Sequence, residues 1–353
     1  MKLRWMAAML ALGAATAFGQ TSVVTHAELQ AVTSTGTSAW VESFPFAIRG
    51  VIVNDPEEML DYAYNPDATA SNVLGGQFQV FFQGVDSDRG GTALWMAQNY
   101  QAMGLAGQDY GSEWTNEMRR VQVDANGRKF RKGDLIEVTV RKALFRGGKR
   151  NVNEAHRITS SNDFDVVLVK ANAGLPQAEA ATLADLVNAD GTQIFDATRA
   201  TGGERWQGMR VRLDGLRLTN TNGWGRTNWA DRVCTATDDA GRSFPLRMPL
   251  ADLGAPPATT AVFSATGILN QENSNTNGYE LFVQEIGPTL TVGRGPTGGI
   301  AVNFSADYEG YVLEASDDAF QTWNPVDITP VKVIVIEDDG DSPNRAYRLR
   351  KVD

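Results

Sequence analysis

Short segments with alternating apolar and polar side chains recur along the chain. In residues 77–83 the apolar side chains of Phe78, Val80 and Phe82 share one parity. Because successive side chains of a β-strand point to opposite faces, this period of two predicts a strand with one face in a core. Related patterns predict further strands at 46–54, 92–97, 134–140, 163–170, 209–214, 260–270 and 279–286, and a hairpin at 232–248.

The predicted strands form two sets with the same order, which indicates an internal repeat. Each set begins with a strand that contains or precedes a glycine, continues with a hairpin and a further strand, and ends with another strand. Three or four short strands follow a Gly-rich linker. We therefore expect an N-terminal arm at 20–45, a first unit at 46–170, a linker with a short helix at 171–204, a second unit at 205–290 and a small β-domain at 291–353.

The two sets resemble the OB-fold, a five-stranded Greek-key barrel. The segments that carry the resemblance are 48–53, 132–138, 209–218 and 265–269. More narrowly, they are similar to the OB-type domains of exported bacterial proteins, including those beside extracellular nuclease domains. Such relatives carry a separate catalytic domain, and no segment of this sequence matches one.

The C-terminal segments 311–316, 323–326 and 345–351 resemble a fibronectin type III-like β-module found on exported bacterial proteins. Together the two resemblances imply an all-β fold class: two OB-like five-stranded Greek-key barrels followed by a small C-terminal β-sandwich-like domain.

Residues 1–19 have the features of a secretory signal peptide. Lys2 and Arg4 precede a short apolar run, and Ala17 and Gly19 supply small residues before a cleavage site at Gln20. We therefore expect an exported protein, in the periplasm, at the cell surface or extracellular, with no membrane span in the mature chain. Cys234 is the only cysteine, so an internal disulfide is impossible. It is either a buried free thiol or an intermolecular link.

Charge is distributed unevenly along the chain, whose net charge is −10. Residues 20–114 contain 2 basic and 11 acidic side chains, whereas residues 115–160 contain 12 basic and 5 acidic ones. We call the twelve cations of 115–160 the basic island. It either forms an anion-binding face of the first unit or neutralises nearby carboxylates. Its members are Arg119, Arg120, Arg128, Lys129, Arg131, Lys132, Arg141, Lys142, Arg146, Lys149, Arg150 and Arg157.

Several aromatic side chains are candidates for stacking on a ligand. Phe81 and Trp95 have the outward parity on the strands with which OB-folds commonly bind, although Trp95 could also pack under residues 98–127. Trp224 and Trp229 lie in an amide-rich loop that suits sugar binding or simply packs on the barrel. The predicted ligand-binding residues are Phe81, Trp95, Arg141, Arg146, Lys149, Arg150, Trp224 and Trp229.

No catalytic motif is present in the sequence, and its 2 histidines, His26 and His156, lack metal-ligand spacing. We therefore predict neither an enzyme nor a cofactor or metal. The leading hypothesis is an exported binding protein that contacts a polyanion, either nucleic acid or an anionic polysaccharide. One alternative is a self-assembling component of the cell envelope or extracellular matrix, joined through edge strands. Another is a hydrolase that uses acidic residues.

Overall fold

The structure is a computed structural model of the 353-residue chain. It describes residues 21–65, 67, 74–97, 110–152, 163–272, 274–288, 290–294, 300–304, 311–316, 322–326, 333–336 and 346–351. Several features named above lie outside the described residues. They are the predicted signal peptide, residues 98–109 of the 98–127 segment, His156 and Arg157. Within the described part, no helix is long and apolar enough to cross a bilayer.

Among its described residues, the first unit is an eight-stranded sheet with two α-helices. The strand order is β6-β7-β4-β3-β2-β5-β8, and β1 pairs with β2 in parallel. Helix α1 is His26–Leu29 and helix α2 is Tyr110–Arg120. The strands are β1 Ser22–Val23, β2 Phe46–Ile52, β3 Phe78–Gln83, β4 Gly91–Met96, β5 Leu135–Val140, β6 Ala143–Arg146, β7 Lys149–Val152 and β8 Phe164–Lys170.

The alternation in the sequence sets the core of this unit. Phe78, Val80 and Phe82 are buried in one cluster with Ile136 and Val138, as their parity predicted. Burial of such side chains contributes roughly 1.5–3 kcal/mol each. Register is therefore strongly specified, because a shift by one residue would turn these side chains away from the core.

The second unit contains a closed five-stranded barrel. Strand β10 pairs with β11 and β13, and β12 pairs with β11 and β14, while β13 and β14 complete the ring. Helix α3 is Leu183–Leu186. Strand β9 adds to the edge of β10 in parallel. The strands are β9 Glu179–Ala181, β10 Arg210–Asn220, β11 Val233–Thr237, β12 Ser243–Arg247, β13 Phe263–Gln271 and β14 Tyr279–Pro288.

The strands of the two units pair in the same order. The units differ in which strand pairs in parallel with the third strand of the set, β4 in the first unit and β12 in the second. In the second unit β12 pairs in parallel with the last strand, β14. In the first unit the last predicted strand, β8, pairs with β5. Among the described residues, β4 instead pairs in parallel with β7 of the basic hairpin, at Ala93–Asn151 and Leu94–Val152. The hairpin is therefore part of the sheet rather than a projecting loop.

The C-terminal region contains two three-stranded sheets, consistent with the predicted sandwich-like module. One has the order β15-β16-β19 and the other β18-β17-β20. The sequence predicted three or four short strands in this region, and its described residues contain six. The bounds are β15 Leu290–Arg294, β16 Ile300–Phe304, β17 Tyr311–Ser316, β18 Asn324–Pro325, β19 Val333–Ile336 and β20 Ala346–Lys351.

The N-terminal arm is anchored on the first unit. His26 is fully buried, and its Nε2 donates to Arg49 O at 3.0 Å while its Nδ1 accepts from the Thr92 hydroxyl at 2.8 Å. Burial lowers the pKa of His26 to about 4. The neutral ring therefore works as a buried hydrogen-bonding link between the arm and strands β2 and β4.

Candidate ligand cleft between the two units

The outer face of β3 and β4 packs against the second unit. Phe81 is 1% exposed and lies edge-on to Phe282, with ring centroids 5.8 Å apart. Ala93 and Ile268 belong to the same buried cluster. The expectation that Phe81 would offer a stacking face to solvent is therefore wrong. Its parity does point it away from its own core, but a second hydrophobic surface covers it.

Two glycines let the backbones of the units touch. A Cβ added at Gly91 would lie 1.9 Å from Gly208 O, and one at Gly208 would lie 2.5 Å from Gly91 C and O. Gly91 N also donates to Gln207 O at 2.9 Å. Any side chain at either position would collide with main-chain atoms, so this contact fixes how the units are placed.

Lys149 lies inside the same interface. It is 2% exposed, and its Nζ donates to Gln79 Oε1 at 3.1 Å and to Asn270 Oδ1 at 3.0 Å, with Glu272 Oε2 at 3.5 Å. The neighbouring turn fits closely too, since a Cβ at Gly148 would lie 2.0 Å from Gln271 Oε1. Lys149 is thus a structural contact to the second unit, and the expectation that it faces a ligand is wrong.

Arg150 is buried on the opposite side of the hairpin. It is 2% exposed, and its guanidinium donates to Glu42 Oε1 at 2.8 Å and Ser38 Oγ at 2.9 Å. It also lies 4.7 Å from the ring centroid of Trp40. Arg150 therefore holds the N-terminal arm, and a ligand in solution has no access to it.

Most of the basic island is neutralised by carboxylates. Among the described residues, seven of its cations form ion pairs, and only one of the partners of these seven belongs to the acidic 55–67 segment. Arg146 is exposed on β6 and has an interaction of its own. The pairs are Arg120–Glu117, Arg128–Asp124, Lys132–Glu58, Arg141–Asp165, Lys142–Asp163, Lys149–Glu272 and Arg150–Glu42.

At the rim of the interface a cleft of about 510 Å³ opens between the units. Each unit contributes aromatic rings and polar groups to it. We call it the inter-unit cleft. Its aromatic and sulfur-containing lining is Met59, Tyr62, Phe78, Trp95 and Trp229, and its polar and remaining lining is Asp61, Gln77, Gln79, Asn228, Ala230, Arg247 and Glu272.

Trp229 is held in the cleft by both units. Its backbone N–H donates to Asp61 O at 2.7 Å, and its carbonyl accepts from Arg247 Nη1. The guanidinium carbons of Arg247 and Arg232 lie 4.3 and 5.0 Å from its ring centroid. The ring is therefore fixed before any ligand arrives, which lowers the entropic cost of binding.

Tyr62 is the most accessible ring of the cleft, with 40% of its surface exposed. Its backbone forms a bridge to Asn228 of the second unit and donates to Gly75 O at 3.0 Å. Gly76 allows the ring to lie against the main chain, because a Cβ there would approach Tyr62 Cδ2 to 2.8 Å. Tyr62 therefore presents a firmly supported ring at the cleft mouth.

The cation that lines the cleft, Arg247, is already paired with a carboxylate. Arg247 makes a bidentate contact with Glu280, at 2.5 and 2.8 Å, and burial raises the pKa of Glu280. The half-buried Asp61 has its pKa raised to about 6, mainly by burial. Glu272 accepts from Asn270 Nδ2 at 3.0 Å. The cleft thus offers carboxylate and amide acceptors, and no described cation lining it lacks a carboxylate partner.

The remaining predicted residues lie elsewhere. Trp224 borders a separate cavity of about 350 Å³ on the second unit, and its Nε1 donates to Gly254 O at 2.8 Å. Arg141 pairs with Asp165 on the neighbouring strand β8. Of the eight predicted ligand-binding residues, only Trp95 and Trp229 line the inter-unit cleft.

Sequence reasoning missed Asp61, Tyr62 and Arg247. The signal for Tyr62 was weak, because it lies in an acidic stretch after the first predicted strand, outside every predicted strand. Arg247 ends a strand whose alternation gave no hint of a partner in Glu280. These residues become a site only because the two units dock.

A second groove of about 580 Å³ lies on the first unit, bordered by the first residues of the linker. Lys129 and Arg131 line it, two residues apart on either side of the buried Phe130. Both are exposed, and neither forms an ion pair with a described residue. Asp55 and Glu57 also line this groove, and they accept hydrogen bonds from Lys132 N and Gln122 Nε2.

No protein-family model matches the chain, and no curated protein matches it. Among solved structures, one similar chain comes from a Replication Protein A heterotrimer bound to ssDNA. The identity is 9% and the TM-score 0.21, over 76% of this chain and 70% of that one. A likeness this weak says nothing about a ligand.

Within the described residues, no group of three or more His, Cys, Asp or Glu side chains could hold a metal ion. Cys234 is free and fully buried, as one of the two sequence interpretations held, and burial raises the pKa of its thiol.

Proposed function

We propose that the protein is an exported binding protein that holds a neutral carbohydrate in the inter-unit cleft without cleaving it. The observation that supports this most directly is the combination of fixed aromatic rings with carboxylate and amide groups around one opening of about 510 Å³. The C–H faces of a sugar pack on aromatic rings, while its hydroxyl groups donate to carboxylates and amides. Tyr62, Trp95 and Asp61 supply these contacts.

Electrostatics favour a neutral ligand over a polyanion at this site. Arg247 is neutralised by Glu280, and Lys149 is buried against Glu272. Asp61 adds negative charge as it ionises. A phosphate or sulfate placed here would meet carboxylates without an uncompensated cation, which disfavours its binding.

Binding without turnover fits the way the two carboxylates of the cleft are held. Asp61 Oδ2 accepts from Gln77 N at 3.1 Å, and the side chain of Glu272 is only 9% exposed beside Lys149. Both groups have internal structural roles. A general acid and a general base must instead reach the bond that is broken and an attacking water.

Replacing Tyr62 by alanine is expected to weaken binding of a neutral oligosaccharide about tenfold. Loss of one stacked ring removes roughly 1–2 kcal/mol of binding free energy. The measurement is calorimetric titration with cello-, malto-, xylo- and manno-oligosaccharides, together with mass spectrometry of the recovered sugars.

Leu144→Ala is the matched control for Tyr62→Ala. Leu144 is also 40% exposed, but it lies on β6 away from the cleft. It should bind like the wild type. If none of these oligosaccharides binds the wild-type protein, the proposal fails. Recovery of shortened sugars would instead replace binding by hydrolysis.

A polyanion contact is a second candidate, favoured by the exposed cations Lys129 and Arg131 in the groove of the first unit. Arg131→Glu is expected to elute earlier from immobilised heparin and from single-stranded DNA. Loss of one phosphate contact reduces the slope of log K against log salt by about one.

Arg226→Glu makes the same charge change at an exposed arginine of the second unit. It should leave the slope unchanged. Equal shifts in Arg131→Glu and Arg226→Glu, or no salt-sensitive retention of the wild-type protein, would argue against a specific anion site.

A further inference from the structure

A second exposed aromatic ring lies just outside the inter-unit cleft. Tyr64 is 54% exposed and follows Tyr62 by two residues. Two residues of chain span at most roughly 7 Å, so their Cα atoms are close. Tyr62, at 40% exposed, and Tyr64 therefore present two neighbouring aromatic rings to solvent, and adjacent exposed apolar groups mark an interaction site more than a single one does. The position of Tyr64 therefore requires an explanation.

The ring of Tyr64 is mounted on the core rather than hanging free. It stacks on Trp114 with ring centroids 5.4 Å apart and an interplanar angle of 14°. Trp114 is buried, donates from Nε1 to Gly76 O at 2.9 Å, and meets Phe78 edge-on at 5.9 Å. One face of Tyr64 is thus covered by Trp114, and more than half of its surface is left to solvent.

Two consecutive glycines make room for both platforms. A Cβ at Gly75 would lie 2.8 Å from Trp114 Cζ2, and one at Gly76 would lie 2.8 Å from Tyr62 Cδ2. Gly76 also has a φ of +69°, which favours glycine. The same short turn therefore supports the ring inside the cleft mouth and, through Trp114, the ring outside it.

We infer that the ligand is a carbohydrate chain of several units that leaves the cleft past Tyr62 and stacks on Tyr64 as a separate outer subsite. This inference rests on the proposed function and adds to it a substrate class, a polymer rather than a single sugar. Successive stacking platforms match a repeating ligand, because each sugar unit presents another C–H face. The acidic side chains of this segment, Asp61 and Asp67, suit a neutral chain better than a nucleic acid.

The experiment compares cello-, malto-, xylo- and manno-oligosaccharides of two to six units by calorimetric titration. Wild-type protein is expected to bind longer oligomers more tightly, with a gain of about tenfold between the shortest and longest. Tyr64→Ala should lose that gain and keep the affinity for the shortest ligand. Tyr64→Phe keeps the ring face and should restore the gain.

The outcomes separate the outer subsite from the proposed function. Binding that is independent of length in the wild type, or equal loss of short and long ligands in Tyr64→Ala, overturns the inference and leaves the cleft intact. Absence of binding at every length overturns both. Oligothymidylate of matching length is titrated in parallel, and tighter binding of DNA than of every oligosaccharide also overturns both. Melting temperatures of the variants establish that they are folded.

Discussion

Gly208→Ala is expected to lower the free energy of unfolding by about 2–4 kcal/mol. Gly208 has a φ of +73°, which costs an L-residue roughly 1 kcal/mol. A Cβ there would also lie 2.5 Å from main-chain atoms of Gly91. Because a strand backbone cannot step aside as a side chain can, relief requires the two units to separate, at a further cost of roughly 1–3 kcal/mol.

Gly215→Ala isolates the conformational part of this effect. Gly215 has nearly the same φ, +74°, but a Cβ there would meet no atom within 4 Å. It is expected to lose only about 1 kcal/mol. Gly91→Ala, whose Cβ would lie 1.9 Å from Gly208 O, introduces the same collision from the first unit. Urea denaturation of the three variants measures the differences, and equal losses in Gly208→Ala and Gly215→Ala would show that the contact is unimportant.

Glu204→Gln is expected to remove a pH-dependent contribution of about 3 kcal/mol to the free energy of unfolding. Glu204 is fully buried, and burial raises its pKa from 4.5 to about 7. Tyr279 donates to its Oε1 at 2.7 Å, whereas Oε2 has no hydrogen-bond partner in the described part of the chain. The folded protein therefore favours the protonated carboxyl group, and ionisation in the folded state is penalised.

The raised pKa of Glu204 determines whether the protein gains or loses stability as the pH rises. Its protonation contributes stability that is fully present below pH 4.5 and lost as the pH rises through 7. Wild-type protein should therefore lose about 3 kcal/mol relative to Glu204→Gln between pH 4.5 and 8.5, at 1.36 kcal/mol per unit. Taking the difference between the two proteins cancels most other titrations, including those of His26 and Asp61.

Chemical denaturation at several pH values measures this difference. Glu285→Gln, at an exposed position of the same barrel, is the matched control for the loss of one carboxylate. A constant difference between wild-type protein and Glu204→Gln over the whole range would mean that Glu204 is not protonated in the folded state.

Much of the fold could be predicted from the sequence because its strands are amphipathic. Each strand has one face in the core of its own unit, so the parity of Phe78, Val80 and Phe82 was sufficient to orient β3. The closing pair of the first unit was not predictable in this way. Strand β7 has the sequence Lys-Arg-Asn-Val, whose polar side chains do not alternate with apolar ones. Its burial depends on specific partners, among them Gln79, Asn270 and Glu42.

The candidate site was harder to predict because it belongs to neither unit alone. Trp95 and Trp229 were recognised as aromatic candidates, and both line the cleft. Phe81 and Lys149 looked like solvent-facing residues because a strand pattern reports only the side facing its own core. A second unit that covers the other side leaves no periodic signal. The interface buries these side chains. It also joins residues more than a hundred positions apart by hydrogen bonds and ion pairs.

The contact between Gly91 and Gly208 also constrains the evolutionary history of this chain. Residues 117 positions apart must both lack a side chain, so neither unit can drift independently at this point. A recombination event with its breakpoint between residues 91 and 208 would join halves that had not been selected together. The two units would then have to be inherited together. Neither could be exchanged separately, although small barrels are a widely reused fold.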